Sequence, residues 1–85
     1  MKKGYFTAIY SGTGFTRDYL RRLKHTAKFT NVRDGCGNLI LTHTQNVITK
    51  GITEVIENAN VGDEVQFTAT YNNTEQKLLY IKKEK

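Results

Sequence analysis

The spacing of apolar residues limits this chain to a β-rich fold. Residues 64–71 alternate without a fault, with Val65, Phe67, Ala69 and Tyr71 on one side and Glu64, Gln66, Thr68 and Thr70 on the other. Successive side chains of a strand point to opposite faces, so this alternation specifies a strand with one buried face. Residues 5–11, 27–32, 39–48 and 77–83, with aromatic and β-branched residues recurring, read as further strands. The period changes once. Ile52, Val55, Ile56 and Ala59 fall at i, i+3, i+4 and i+7, along one side of a helix of about two turns.

Turn signals separate these segments. Gly12-Thr13-Gly14 stops the first strand and bends it away. Residues 34–38, Asp-Gly-Cys-Gly-Asn, join the second and third strands closely enough to make an antiparallel hairpin. Asn58, Asn60 and Gly62 end the helix, and residues 72–75 form the last turn. Residues 17–25 admit two readings. Tyr19, Leu20 and Leu23 form one side of a helical turn, or the segment is the bent far half of a long first hairpin. The expectation adopted is a loop or short helix bridging the first two strands.

Three strands, a short helix and two more strands is the plan of the OB-fold, a five-stranded, partly open Greek-key barrel. The fold class expected is therefore mainly β, with one short helix between strands three and four. An SH3-like barrel or an α+β sheet of the split βαβ kind is the alternative. Closing the sheet hides most strand edges, and Ile52, Val55 and Ile56 of the helix cap one open end. The core expected comprises Phe6 or Tyr5, Ile9, Phe29, Val32, Ile40, Val47, Val55, Ile56, Val65, Phe67, Ala69 and Ile81.

In residues 60–69 a Gly-Asp turn precedes an alternating Val-x-Phe-x-Ala strand. Together with Asn31-Val32-Arg33-Asp34, the glycine turn and Asn38-Leu39-Ile40, this layout resembles small OB-fold-like domains of uncharacterised phage and mobile-element proteins of low-GC bacteria. The resemblance covers residues 27–71. Its motifs are structural, so it implies the fold and no reaction.

The 85 residues suit one domain over 1–85, with a frayed basic end at the last few residues. The longest aliphatic run, Leu39-Ile40-Leu41, is far short of the roughly 20 residues that cross a bilayer. Thr7, Ser11 and Gly12 interrupt the segment after the charged start, which does not read as a secretory signal. Cys36, the lone cysteine, forms no internal disulfide, and a chain held together without one fits a reducing cytoplasm. It lies in the glycine turn, where an incidental exposed thiol is expected.

No catalytic or metal-binding spacing is present. His25, His43, Asp18, Asp34 and Cys36 are scattered, without a Cys-x-x-Cys or a paired histidine. Gly12-Thr13-Gly14 lacks the Lys-Ser/Thr pair of a phosphate loop. His43, mid-strand, is expected at the surface. The chain therefore reads as a non-enzymatic protein without cofactor or metal.

Charge is the remaining signal. The net charge is +5, yet residues 1–43 carry eight Lys or Arg against two Asp, while residues 44–85 carry five Lys against six acids. Arg17, Arg21, Arg22, Lys24, Lys28 and Arg33 gather on the first connection and second strand, and Asp18 is the one acid within residues 16–33. OB-folds bind oligonucleotides across strands two and three and the loops joining strands one to two and four to five. A single strand needs cations along its phosphates and aromatic faces under its bases. Phe15, Tyr19 and Tyr71 are the candidate faces, and Phe29 is assigned to the core. The expected partner is nucleic acid, single-stranded DNA or RNA read with little sequence preference. The alternative is a protein–protein interaction module, pairing through residues 77–83 or the basic patch with a partner or as a homodimer. A blander account makes residues 17–24 a solvated connector whose Tyr19, Leu20 and Leu23 pack on the barrel.

Overall fold

A computed structural model describes residues 2–83, with side chains from Lys3 to Lys83. The end expected to fray, residues 84–85, lies outside them. Within the described residues the elements are β1 (Lys2–Arg17), β2 (Leu23–Asp34), β3 (Leu39–Val47), α1 (Lys50–Ile56), β4 (Glu64–Asn72) and β5 (Lys77–Lys83). They make one antiparallel sheet in the order β3-β2-β1-β4-β5. The mainly β class and the helix between strands three and four stand as expected.

The closed barrel does not. β3 and β5 are the two edges of the sheet, and no ladder joins them. Across this seam the Asn46 side-chain amide donates to the Leu78 carbonyl at 2.9 Å. A polar side chain thus occupies the place of a backbone pair. The sheet has OB-like order and is rolled but open.

Bulges supply the roll. β1, β2 and β5 each take one extra residue at a register shift, and each shift holds a positive φ: Gly12 at 101°, Asn31 at 52° and Tyr80 at 57°. An unpaired extra residue increases local twist and bends the strand. Gly12 therefore does not end the first strand. β1 passes through it to Arg17, and a Cβ at Gly12 would also stand 3.5 Å from the Val61 side chain.

Inside the roll, Phe6, Ala8 and Tyr10 of β1 face Ala27, Phe29 and Val32 of β2 and Val65, Phe67 and Ala69 of β4. Leu78 and Ile81 of β5 and Ile52 of α1 complete the buried set. A chain of rings runs through it. Phe29 lies 6.1 Å from Tyr10 and 5.7 Å from Phe67, and Phe67 lies 6.2 Å from Phe6, centroid to centroid. Two expected core residues sit elsewhere. Ile9 alternates out of phase with Phe6, Ala8 and Tyr10 and is half-buried, and Val47 pairs with Thr26 at the end of β3, where it is 48% exposed. Of Phe6 and Tyr5, Phe6 is the inward one.

α1 starts earlier than its apolar spacing suggests because Thr49 caps it, its hydroxyl accepting from the Ile52 N–H at 3.2 Å. The helix packs closest to β5. A Cβ at Gly51 would collide with the Ile81 carbonyl oxygen and the Lys82 backbone. Gly→Ala in an exposed helix ordinarily stabilises. Here Gly51→Ala is expected to destabilise by about 1–3 kcal/mol, the usual cost of forcing extra volume into a packed site. Urea denaturation followed by circular dichroism checks the sign.

Candidate nucleic-acid interface

β1 and β2 outrun their neighbours. β3 ends where Val47 pairs with Thr26, and the β4 ladder ends where Glu64 pairs with Ile9. Past these points β1 and β2 continue together through Gly14↔Thr26, Phe15↔His25, Thr16↔Lys24 and Arg17↔Leu23. Residues 14–25 form a two-stranded arm, with the Ile48 N–H donating to the His25 carbonyl at its base, 2.9 Å. The loop or short helix expected at 17–25 is therefore the far end of a long hairpin.

Asp18 explains why. Its Oδ1 accepts from the Leu20 and Arg22 N–H groups at 2.9 Å each, and its Oδ2 accepts from Arg22 Nε at 2.9 Å. Its carbonyl accepts from the Arg21 N–H at 2.9 Å, and Arg21 takes the left-handed conformation, φ 63°. An aspartate turn of this kind reverses the chain without help from a core. The tip stays in solvent. Tyr19 is 90% exposed, Leu20 55% and Leu23 57%, so none of the three packs on the barrel.

The register divides the candidate residues between two faces. Lys24 and Lys28 point outward, out of phase with buried Ala27 and Phe29, and the Asn31 bulge keeps Arg33, opposite Thr7, out of phase with buried Val32. Lys24 and Lys28 are about 13 Å apart along β2 at the usual rise per residue. Phe15 and Arg17 take the other face with Leu23 and His25, the side that continues the core. Phe15 stacks on His25, with centroids 4.9 Å apart and rings inclined 18°. Tyr19 and Arg21 occupy the tip, where the faces meet. The cations and rings therefore lie on one arm and strand but not on one side of it.

Two candidates stand apart. Arg22 is spoken for by Asp18, in an ion pair of 2.9 Å. Tyr71 pairs with Lys2 at the opposite end of β1 from the arm and lines a cleft of about 590 Å³ with Phe6, Ile40 and Gly35. Between described residues the ion pairs within 4.0 Å are Asp18–Arg22 and Glu75–Lys77, so Arg17, Arg21, Lys24, Lys28 and Arg33 have no carboxylate within that distance.

Two exposed rings were not read as site residues. Tyr5 lies outward on β1 beside the Arg33 partner Thr7, 37% exposed, and donates its hydroxyl to Gln66 Oε1 at 3.0 Å. Adjacent Tyr5 and Phe6 must face opposite ways, which is the signal that could have found it. His25 shares the Phe15 stack and had no comparable signal. His43 is exposed on β3 opposite Thr30, with Nδ1 3.2 Å from the Thr42 hydroxyl. Cys36 is exposed in the turn, where the Asp34 carboxylate accepts from the Cys36 and Asn38 N–H groups.

Among the described residues no helix is long and apolar enough to cross a membrane, and no His, Cys, Asp and Glu cluster is placed to hold a metal. Compared with known proteins, the chain matches no family model, no curated protein and no solved structure.

The Arg22 backbone N–H and then its guanidinium, the Leu20 N–H and nearby Lys24 hold the Asp18 carboxyl below its ordinary value of 3.8. A carboxyl depressed on folding contributes order above its ordinary value and loses it as pH falls through the lower folded one. The tip should therefore keep its turn at neutral pH and loosen only below about pH 4. Amide shifts of Leu20 and Arg22 followed by NMR should titrate together in that acid range, and Asp18→Asn should abolish the step.

Proposed function

We propose that this chain is a non-enzymatic module that binds single-stranded nucleic acid, DNA or RNA, with little sequence preference. The observation that carries the reading is the row of Lys24, Lys28 and Arg33 along the outward face of β2, none of them in an ion pair within 4.0 Å between described residues. In the OB-like strand order, this is the surface on which oligonucleotides lie. The row ends at the arm, which adds Arg17 and Arg21 and offers Tyr19, Phe15 and His25 as stacking faces. Phosphates following the row would meet cations and release their counterions. Bases turned over the edge of the arm would meet rings. Neither contact reads a base edge, so sequence preference is low. The proposed surface leaves out Tyr71, and Arg22 serves the turn. With the resemblance of residues 27–71, the reading sets the protein in the cytoplasm, as part of a phage or mobile element.

A labelled oligonucleotide titrated by fluorescence anisotropy across a salt series tests this. Engagement of Lys24, Lys28, Arg33 and one tip arginine should give a slope of log K against log salt of about −3, from roughly −0.7 per phosphate on a single strand. Lys28→Glu with Arg33→Glu should weaken binding far more than Lys82→Glu with Lys83→Glu. Equal effects, or no binding at low salt, would sink the proposal.

A further inference from the structure

Leucine has no ring on which a base can stack, so single-strand binding leaves Leu20 and Leu23 unexplained. Both are more than half exposed, and with Phe15 at 63% and Tyr19 at 90% they concentrate apolar surface on the arm. Exposed apolar surface of this density marks a contact with another protein. The arm is also basic, through Arg17, Arg21 and Lys24. Two arms packed face to face would bring Arg17 close to like charge on the facing ribbon.

The chain carries a better-matched surface. Between α1 and β4 runs a groove of about 340 Å³ with Val55, Ala59 and Val65 among its lining and Glu54, Asp63 and Glu64 beside them. Lys83 also lines it, yet none of the three carboxylates lies in an ion pair between described residues. An apolar finger flanked by cations is matched, on the same chain, by a mixed groove in which Val55 and Ala59 lie among Asn58, Gln66 and three carboxylates.

We propose that the arm of one copy docks by its tip in the α1–β4 groove of a second copy. The groove abuts the base of its own arm, since the Asp63 carbonyl accepts from the Tyr10 N–H at 2.8 Å. The tip lies about eight residues further on, roughly 26 Å out at the strand rise. A ribbon whose strands stay paired from Gly14↔Thr26 to Arg17↔Leu23 does not double back on its own base, so the contact is between molecules. It is heterologous, joining different patches, and either closes by reciprocity or propagates as an open chain.

Sedimentation velocity over a concentration series tests this with the full chain. The weight-average sedimentation coefficient should rise with concentration and fall back in high salt. Leu20→Ser with Leu23→Ser, or Glu54→Lys with Glu64→Lys, should weaken association about tenfold or more, the effect of losing roughly 1.4 kcal/mol. All four positions are exposed, and circular dichroism verifies that each variant is folded. The decisive sample mixes Arg21→Glu, Lys24→Glu protein with Glu54→Lys, Glu64→Lys protein. Each should associate poorly alone, and the mixture should recover a complex. A wild-type chain that stays monomeric, association that survives the groove substitutions, or a mixture that fails to recover would each overturn the proposal.

Discussion

The contact on which the architecture rests is that of Phe29 with Tyr10 and Phe67. These rings come from β2, β1 and β4, the central strands of the sheet, and Phe6 extends the row against Phe67. Offset and tilted rings at such separations add specific attraction to the area they hide from water. They can meet only if the sheet is rolled, because side chains on one face of a flat sheet stand beside their neighbours rather than across from them. The bulges at Gly12, Asn31 and Tyr80 permit that roll, and the Asn46–Leu78 hydrogen bond pins its two edges. Around the rings, Leu78 and Ile81 of β5 and Ile52 of α1 complete the interior.

The arm follows from the same economy of core. An 85-residue chain has little interior to offer, and residues 14–25 lie beyond the rolled sheet. They stay paired because ladder hydrogen bonds run between them and because Asp18 ties the turn. One consequence is chemical. Outside the core both faces of a ribbon are wet, so it can carry a cationic side and an aromatic, aliphatic side back to back. Lys24 and Lys28 thereby lie on one side of the arm and strand, and Phe15, Leu23 and His25 on the other.

Much of the fold was legible. β5 runs over the residues that its pattern specifies, and β3, β4 and α1 differ by one to three residues at their ends. What the sequence concealed has physical causes. On the arm, Phe15, Arg17, Leu23 and His25 share a face without sharing polarity, because no core sorts them, so no period reveals a strand. Gly12 reads equally as a stop and as a bulge, and only the pairing of Thr13 with Ala27 decides. In β1, Tyr5, Phe6, Ala8, Ile9 and Tyr10 are apolar in both phases, which hid the outward course of Tyr5 and Ile9. The cations of the candidate site were all visible. Their division between faces was not, since the bulges at Gly12 and Asn31 each reverse the count, and the loss of Arg22 to Asp18 needed the turn. Tyr71 lies away from the arm because the β4–β5 turn sits at the opposite end of β1.

The arm's turn is closed by its own carboxylate and its strands bond mainly to each other, so its length is uncoupled from the body that carries it. Lengthening each strand by two residues would preserve which side every group takes while carrying the tip outward by about 7 Å. The reach of this protein is thus a separately adjustable dimension, a ruler that evolution or an engineer can extend without redesigning the rest.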